Sequence, residues 1–121
     1  MTLLGLIRHG ATAWNEAGRI QGCADIPLSE RGRGDFDGLG PPHALDGAVW
    51  VASPLRRATE TAQLLGADAL RTEPCLIEMD WGAWEGRTLA ELRDELGPAM
   101  RDNENRGLDF TPPQGESPRD V

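Results

Sequence analysis

Residues 48–72 read AVWVASPLRRATETAQLLGADALRT. Ala48-Val49-Trp50-Val51-Ala52 is a short unbroken apolar run, the pattern of a strand buried on both faces. Ser53-Pro54 supplies a helix start, with a serine cap and a proline at the first helical position. The helix runs through Thr59, Ala62 and Leu65 and stops at Gly66, and Ala69 to Thr72 form a short further strand. Strand, helix and strand in succession predict an α/β fold: a three-layer sandwich around a mostly parallel central sheet.

Toward the N-terminus, Leu3-Leu4-Gly5-Leu6-Ile7 repeats the buried-strand pattern and ends abruptly in polar residues. A short helix is expected around Thr12 to Ala17, then a loop from Gly18 to Leu28 broken by Gly22 and Pro27. Ser29 is placed to cap a helix through Arg33, weakened by Gly32 and Gly34, and Pro41-Pro42 closes that segment. Toward the C-terminus, Thr88-Leu89-Ala90-Glu91 is a capping box that opens a helix to Leu96, which Gly97-Pro98 ends. Thr111 to Gly115 is a Pro/Gly loop. There are no repeats or low-complexity tracts, and the 121 residues suit a single domain over 1–121.

The chain is 39% apolar, which allows a packed core, and carries a formal charge of -8. That acidity argues against a nucleic-acid surface, which needs a basic face. An anionic substrate would therefore be captured by a local group of arginines against the overall field. All 12 basic residues are Arg. Without lysine, Schiff-base chemistry and the lysine of a phosphate-binding P-loop are excluded, whereas Arg suits bidentate capture of phosphate oxygens. Cys23 and Cys75 have neither metal-ligand nor redox spacing and read as small semi-buried thiols. The apolar start is too short for a signal-peptide core, and no stretch reaches membrane-spanning length, so the expected compartment is the cytoplasm, with no membrane partner.

In an open parallel sheet, ligands bind outside the carboxyl ends of the strands. Both strong strand patterns deliver arginines there: Arg8-His9-Gly10 after the first, and Arg56-Arg57 after the second. Gly10 would let the backbone approach a bound anion, and His9 offers a ring nitrogen as nucleophile. Two guanidiniums can neutralise a phosphate while leaving one direction open for in-line attack. Flanking arginines also favour the neutral, nucleophilic imidazole. The alkoxide leaving group needs a proton from a carboxylic acid. Glu78, Asp80 and Glu85 all compete for that role on spacing; Glu78 follows apolar Leu76-Ile77, and burial beside a phosphate would raise its pKa.

Four stretches then fall in a telling order: LLGLIRHGATAWN (3–15), RIQGCADIPLSERG (19–32), SPLRRATETA (53–62) and LIEMDWGAWEG (76–86). They resemble the successive motifs of the histidine phosphatase superfamily, in its phosphoglycerate-mutase-like branch. The resemblance implies that His9 is the phosphohistidine nucleophile and that Arg8 and Arg57 hold the phosphate. Glu78 would protonate the leaving oxygen, while Gly10, Asn15, Gln21 and Gly22 would line the phosphate pocket and its substrate side. Arg56 falls one place early and reads as a helix-surface residue. No cofactor and no metal are expected. The four tryptophans read as packing: Trp14 seating the first helix, Trp50 within the strand, Trp81 and Trp84 packing the loop that carries Glu78. His43 reads as a surface residue.

The family's pattern has a second histidine, in a Ser-His-Gly stretch that this sequence does not contain. The resemblance thus implies a domain lacking its C-terminal part, with impaired activity. It also implies that Leu3 to Ile7 forms a bare apolar sheet edge, so that the chain is either poorly stable alone or self-associates through that edge as a homo-oligomer. The leading expectation is a phosphomonoesterase acting on a small phosphorylated metabolite, since Glu78 to Gly86 resembles the phosphatases more than the mutases. The alternatives are a phosphoglycerate mutase and a catalytically impaired fragment that only binds phosphate.

Overall fold

Helices and strands follow in the order α1 (Ala13–Glu16), α2 (Glu30–Gly34), β1 (Trp50–Ala52), α3 (Arg56–Leu64), β2 (Leu70–Thr72), α4 (Leu89–Leu96) and α5 (Pro98–Glu104) in a computed structural model that describes residues 1–121. β1 and β2 pair in parallel with Trp50 opposite Leu70, Val51 opposite Arg71 and Ala52 opposite Thr72. Joined by α3, they form the β-α-β unit that residues 48–72 predict. The chain's contacts gather into two compact units, one from residues 1–13 and 25–77, the other from residues 14–24 and 78–121. No helix is long and apolar enough to cross a membrane.

In the first unit, Leu28, Ala52, Leu55, Ala62 and Leu65 are buried, with Thr12 fully enclosed among the polar side chains. Gly66, at φ +90°, stops α3 in the left-handed conformation that glycine adopts without strain. Ala67 N–H donates to the Ala62 carbonyl and Gly66 N–H to that of Gln63, which closes the helix in a Schellman motif. The start of α3 departs from expectation. Pro54 and Leu55 stay outside the helix, and Ser53 Oγ accepts only from Leu55 N–H at 3.3 Å. The Arg56 amide at the helix start donates instead to Asp25 Oδ1 at 2.7 Å. A carboxylate is favoured at a helix N-terminus both as hydrogen-bond acceptor and as negative charge.

The larger correction concerns Leu3 to Ile7. This segment is not a strand, and Leu3, Leu4, Leu6 and Ile7 are 60, 77, 87 and 47% exposed. A strand exists only as one side of a ladder, and the sheet here contains only β1 and β2. An apolar run therefore remains unpaired and solvent-facing where the sequence pattern requires cover on both faces. Val49 and Val51 are exposed as well.

In the second unit, Trp84, Leu92 and Met100 form the core, with Ile20, Trp81, Leu96 and Phe110 packed against them. The Phe110 ring lies 5.5 Å from Trp81 and 5.7 Å from Trp84, centroid to centroid. Trp81 and Trp84 are packing residues, set against α4, α5 and Phe110. The capping box at Thr88 and Glu91 forms as expected. Gly97, at φ +52°, ends α4, but the following Pro98 also opens α5. Proline suits the first turn of a helix because its missing N–H would have no helical partner there.

Candidate active site

His9 follows the unpaired N-terminal segment and is half-buried. Its Nδ1 lies 2.7 Å from the Gly10 carbonyl oxygen. A carbonyl can only accept, so this contact assigns the proton of a neutral ring to Nδ1 and the lone pair to Nε2. Gly10 N–H donates to Thr61 Oγ1 at 3.0 Å, and Thr61 Oγ1 donates to the Arg57 carbonyl at 2.7 Å. One buried hydroxyl thus ties the His9–Gly10 turn to the helix that carries Arg57. Arg8 is exposed, whereas Arg57 is 3% exposed.

Gly10 is needed for space. A Cβ there would come within 2.6 Å of the Phe36 ring and 3.1 Å of the Gly32 carbonyl oxygen. That side of Gly10 is filled by close packing. Gly32 is equally constrained, since a Cβ there would fall 2.0 Å from the Ala11 carbonyl oxygen. Sequence reasoning passed over Thr61 and Asp25; a buried hydroxyl four residues after an arginine is a signal only once the fold is in hand. It also passed over Glu60, whose carboxylate accepts from Leu28 N–H at 3.0 Å, Arg33 at 2.7 Å and Arg56 at 3.1 Å. That network joins α2 and α3 and occupies Arg56, which is exposed, in keeping with a helix-surface residue.

The remaining expected residues lie in the second unit. Asn15 is exposed on α1, and its carbonyl accepts from Gly18 N–H at 3.1 Å. Gln21 and Gly22 are buried, and Gly22 takes φ +54°. A Cβ at Gly22 would meet the Trp81 amide nitrogen at 3.0 Å. Glu78 is exposed, as are Leu76 and Ile77 before it, so the burial expected of it is absent. Its Oε1 accepts from Met79 N–H at 3.1 Å.

Its two rivals are committed to loop backbone. Glu85 Oε1 accepts from Cys23 N–H at 2.7 Å and Trp81 N–H at 3.3 Å, and Asp80 Oδ1 accepts from Gly82 N–H at 2.7 Å. Cys23 sits beside both, and its thiol donates to the Glu78 carbonyl at 3.2 Å. Burial first, then the charges of Asp80, Glu85, Glu116 and Glu78, push that thiol's pKa up, which keeps it protonated and unreactive. Cys75 is exposed where a semi-buried thiol is expected. His43 lies in an exposed turn with Nδ1 3.4 Å from Asp46 Oδ2. A cavity of about 230 Å³ is lined by Arg93, Gly97, Pro98, Arg101 and Glu104, and by none of the expected site residues.

The family model of the histidine phosphatase superfamily, branch 1, matches residues 4–121. This chain belongs to that superfamily. Among its relatives, an acid phosphatase of Mycobacterium tuberculosis is 35% identical over 92 residues, covering 74% of this chain and 45% of that protein. A 2,3-bisphosphoglycerate-dependent phosphoglycerate mutase of Gloeobacter violaceus is 33% identical over 128 residues, covering 100% of this chain and 58% of the mutase. Among solved structures, the alpha-ribazole phosphatase of Shigella flexneri superposes with a TM-score of 0.78 at 32% identity, covering 94% of this chain and 58% of that one. The histidine phosphatase chain therefore has the superfamily's α/β fold while spanning about half the length of the relatives it matches.

Proposed function

We propose that this histidine phosphatase chain is a phosphomonoesterase acting on small phosphorylated metabolites, with residues 1–121 working as one domain and no cofactor or metal. His9 Nε2 attacks phosphorus in line, and the bond from phosphorus to the leaving oxygen breaks. Glu78 gives that oxygen its proton, and water then cleaves the N–P bond to release phosphate and restore the imidazole. Arg8 and Arg57 neutralise the phosphoryl oxygens, and Gly10, Asn15, Gln21 and Gly22 line the phosphate and substrate side. The roles of Arg8, Glu78, Asn15, Gln21 and Gly22 rest on the match to the superfamily's motifs.

The observation that carries the reading is the 2.7 Å contact from His9 Nδ1 to the Gly10 carbonyl, which selects the tautomer a nucleophilic imidazole requires. The burial of Arg57, on the helix tied to that same turn, supports it. The only other histidine is His43. Assayed by themselves, these 121 residues hold no second donor histidine for the transferring group, and we expect turnover lower by on the order of a hundredfold to a thousandfold than in a site that has one.

The test is phosphate release from p-nitrophenyl phosphate together with phosphodonor labelling. Wild-type protein should turn over and acquire an acid-labile, base-stable label, and His9→Ala should lose both. Turnover unchanged in His9→Ala refutes the mechanism. A mutase is the second reading, favoured by the match to the Gloeobacter mutase over the whole of this chain; conversion of 3-phosphoglycerate to its isomer would support it. A label that forms but never turns over would identify a phosphate binder. The compartment we propose is the cytoplasm.

A further inference from the structure

We propose that Thr61 is the positioning residue that sets the orientation of the His9 ring, an assignment that rests on the phosphohistidine reading above. The Gly10 N–H that it holds belongs to the peptide directly following His9, so the bond to Thr61 Oγ1 at 3.0 Å restrains the backbone of the nucleophile itself. The carbonyl against His9 Nδ1 lies one peptide further on, at 2.7 Å. Between the two anchors stands a glycine, the residue with the widest backbone freedom. Without the first anchor, the second has no fixed place to receive the ring.

The hydroxyl is well suited to that task. It donates to the Arg57 carbonyl at 2.7 Å, which fixes its own proton and turns its lone pairs toward Gly10. A hydroxyl that donates is also polarised into a better acceptor. Thr61 is 3% exposed and Gly10 is buried, so water has no easy way to replace the bond. The Phe36 ring, the Gly32 carbonyl and Leu28 close the other side of Gly10. One side chain therefore couples the turn beside the nucleophile to the helix segment beginning at Arg57.

The experiment compares wild type, Thr61→Val and Thr61→Ser in p-nitrophenyl phosphate turnover, with 15N spectra of the His9 ring and exchange of the Gly10 amide. Valine keeps the shape and removes the hydroxyl, and serine restores it. Thr61→Val should lower kcat on the order of tenfold to a hundredfold, the scale of a displaced reacting group, with a smaller change in KM. It should also reduce the Nδ1-protonated share of the ring, and Thr61→Ser should recover most of both. Wild-type kcat in Thr61→Val, or a Thr61→Ser as slow as the valine variant, overturns the proposal.

If wild type neither turns over nor labels, the phosphatase reading has failed, and the ring spectra alone judge the positioning. A tautomer shift in Thr61→Val supports it, and an unchanged ring overturns it. If Thr61→Val does not fold, the wild-type Gly10 amide decides. Slow exchange there, kept in Thr61→Ser, supports the bond, and rapid exchange overturns it.

Discussion

Two adjacent arginines meet opposite fates in α3. Arg56 points outward, and its guanidinium pairs with Glu60 at 3.1 Å, an exposed contact of the kind worth little to stability. Arg57, one residue on, is buried. A guanidinium is rarely enclosed without a purpose that its planar fork serves. We expect Arg57→Lys, which keeps the charge and loses the fork, to reduce kcat/KM on the order of a hundredfold, the cost typical of one lost transition-state donor. Arg56→Gln should leave kcat/KM near wild type. Comparable losses in both would remove Arg57 from the phosphate site. The difference between them was legible in the sequence only through resemblance, because RR by itself does not say which side chain a helix turns inward.

At the scale of elements, the clearest local signal is the box that opens α4. Thr88 Oγ1 accepts from Glu91 N–H at 3.1 Å, and Glu91 Oε2 accepts from Thr88 N–H at 2.9 Å. Thr88→Ala should cost about 1 kcal/mol in denaturant unfolding, as loss of a helix cap does. The Thr88 amide, above all, holds the Glu91 carboxyl below its usual value of 4.5, with Arg19 and Arg87 adding to the effect and desolvation opposing it. A folded pKa below the unfolded one means stabilisation that is fully present above 4.5 and lost as pH falls through the folded value. Glu91→Ala should therefore trail wild type in thermal stability at neutral pH and approach it in acid. A gap that stays constant with pH overturns this account. The α4 cap, the glycine stops and the strand within residues 48–52 were readable because such signals act within a few residues. At α3 the same logic misplaced the cap, since Asp25 arrives from 31 residues away and takes the first amide.

For the molecule as a whole, the exposed apolar segment from Leu3 to Ile7 is the dominant liability. Large apolar side chains left in water on an unpaired segment invite pairing with another chain. We expect concentration-dependent association in light scattering, and a shift toward monomer in Leu4→Glu combined with Leu6→Glu. A single monomeric species at all concentrations would overturn the expectation. The candidate site has a similar division. His9, Gly10 and Arg57 come together through hydrogen bonds within the first unit, while Glu78, Gln21 and Gly22 belong to the second.

The sequence by itself determined the order β1–α3–β2, the loop position of Arg8-His9-Gly10, the C-terminal end of α3 and both ends of α4. Those features depend on backbone preference, capping and apolar pattern over short stretches. Only the tertiary structure decided that Leu3 to Ile7 would find no ladder and that Glu78 would face solvent. It alone brought Thr61 to Gly10, across 51 residues of chain. Each of these turns on which distant backbone or side chain fills the neighbouring space, and no local pattern encodes that.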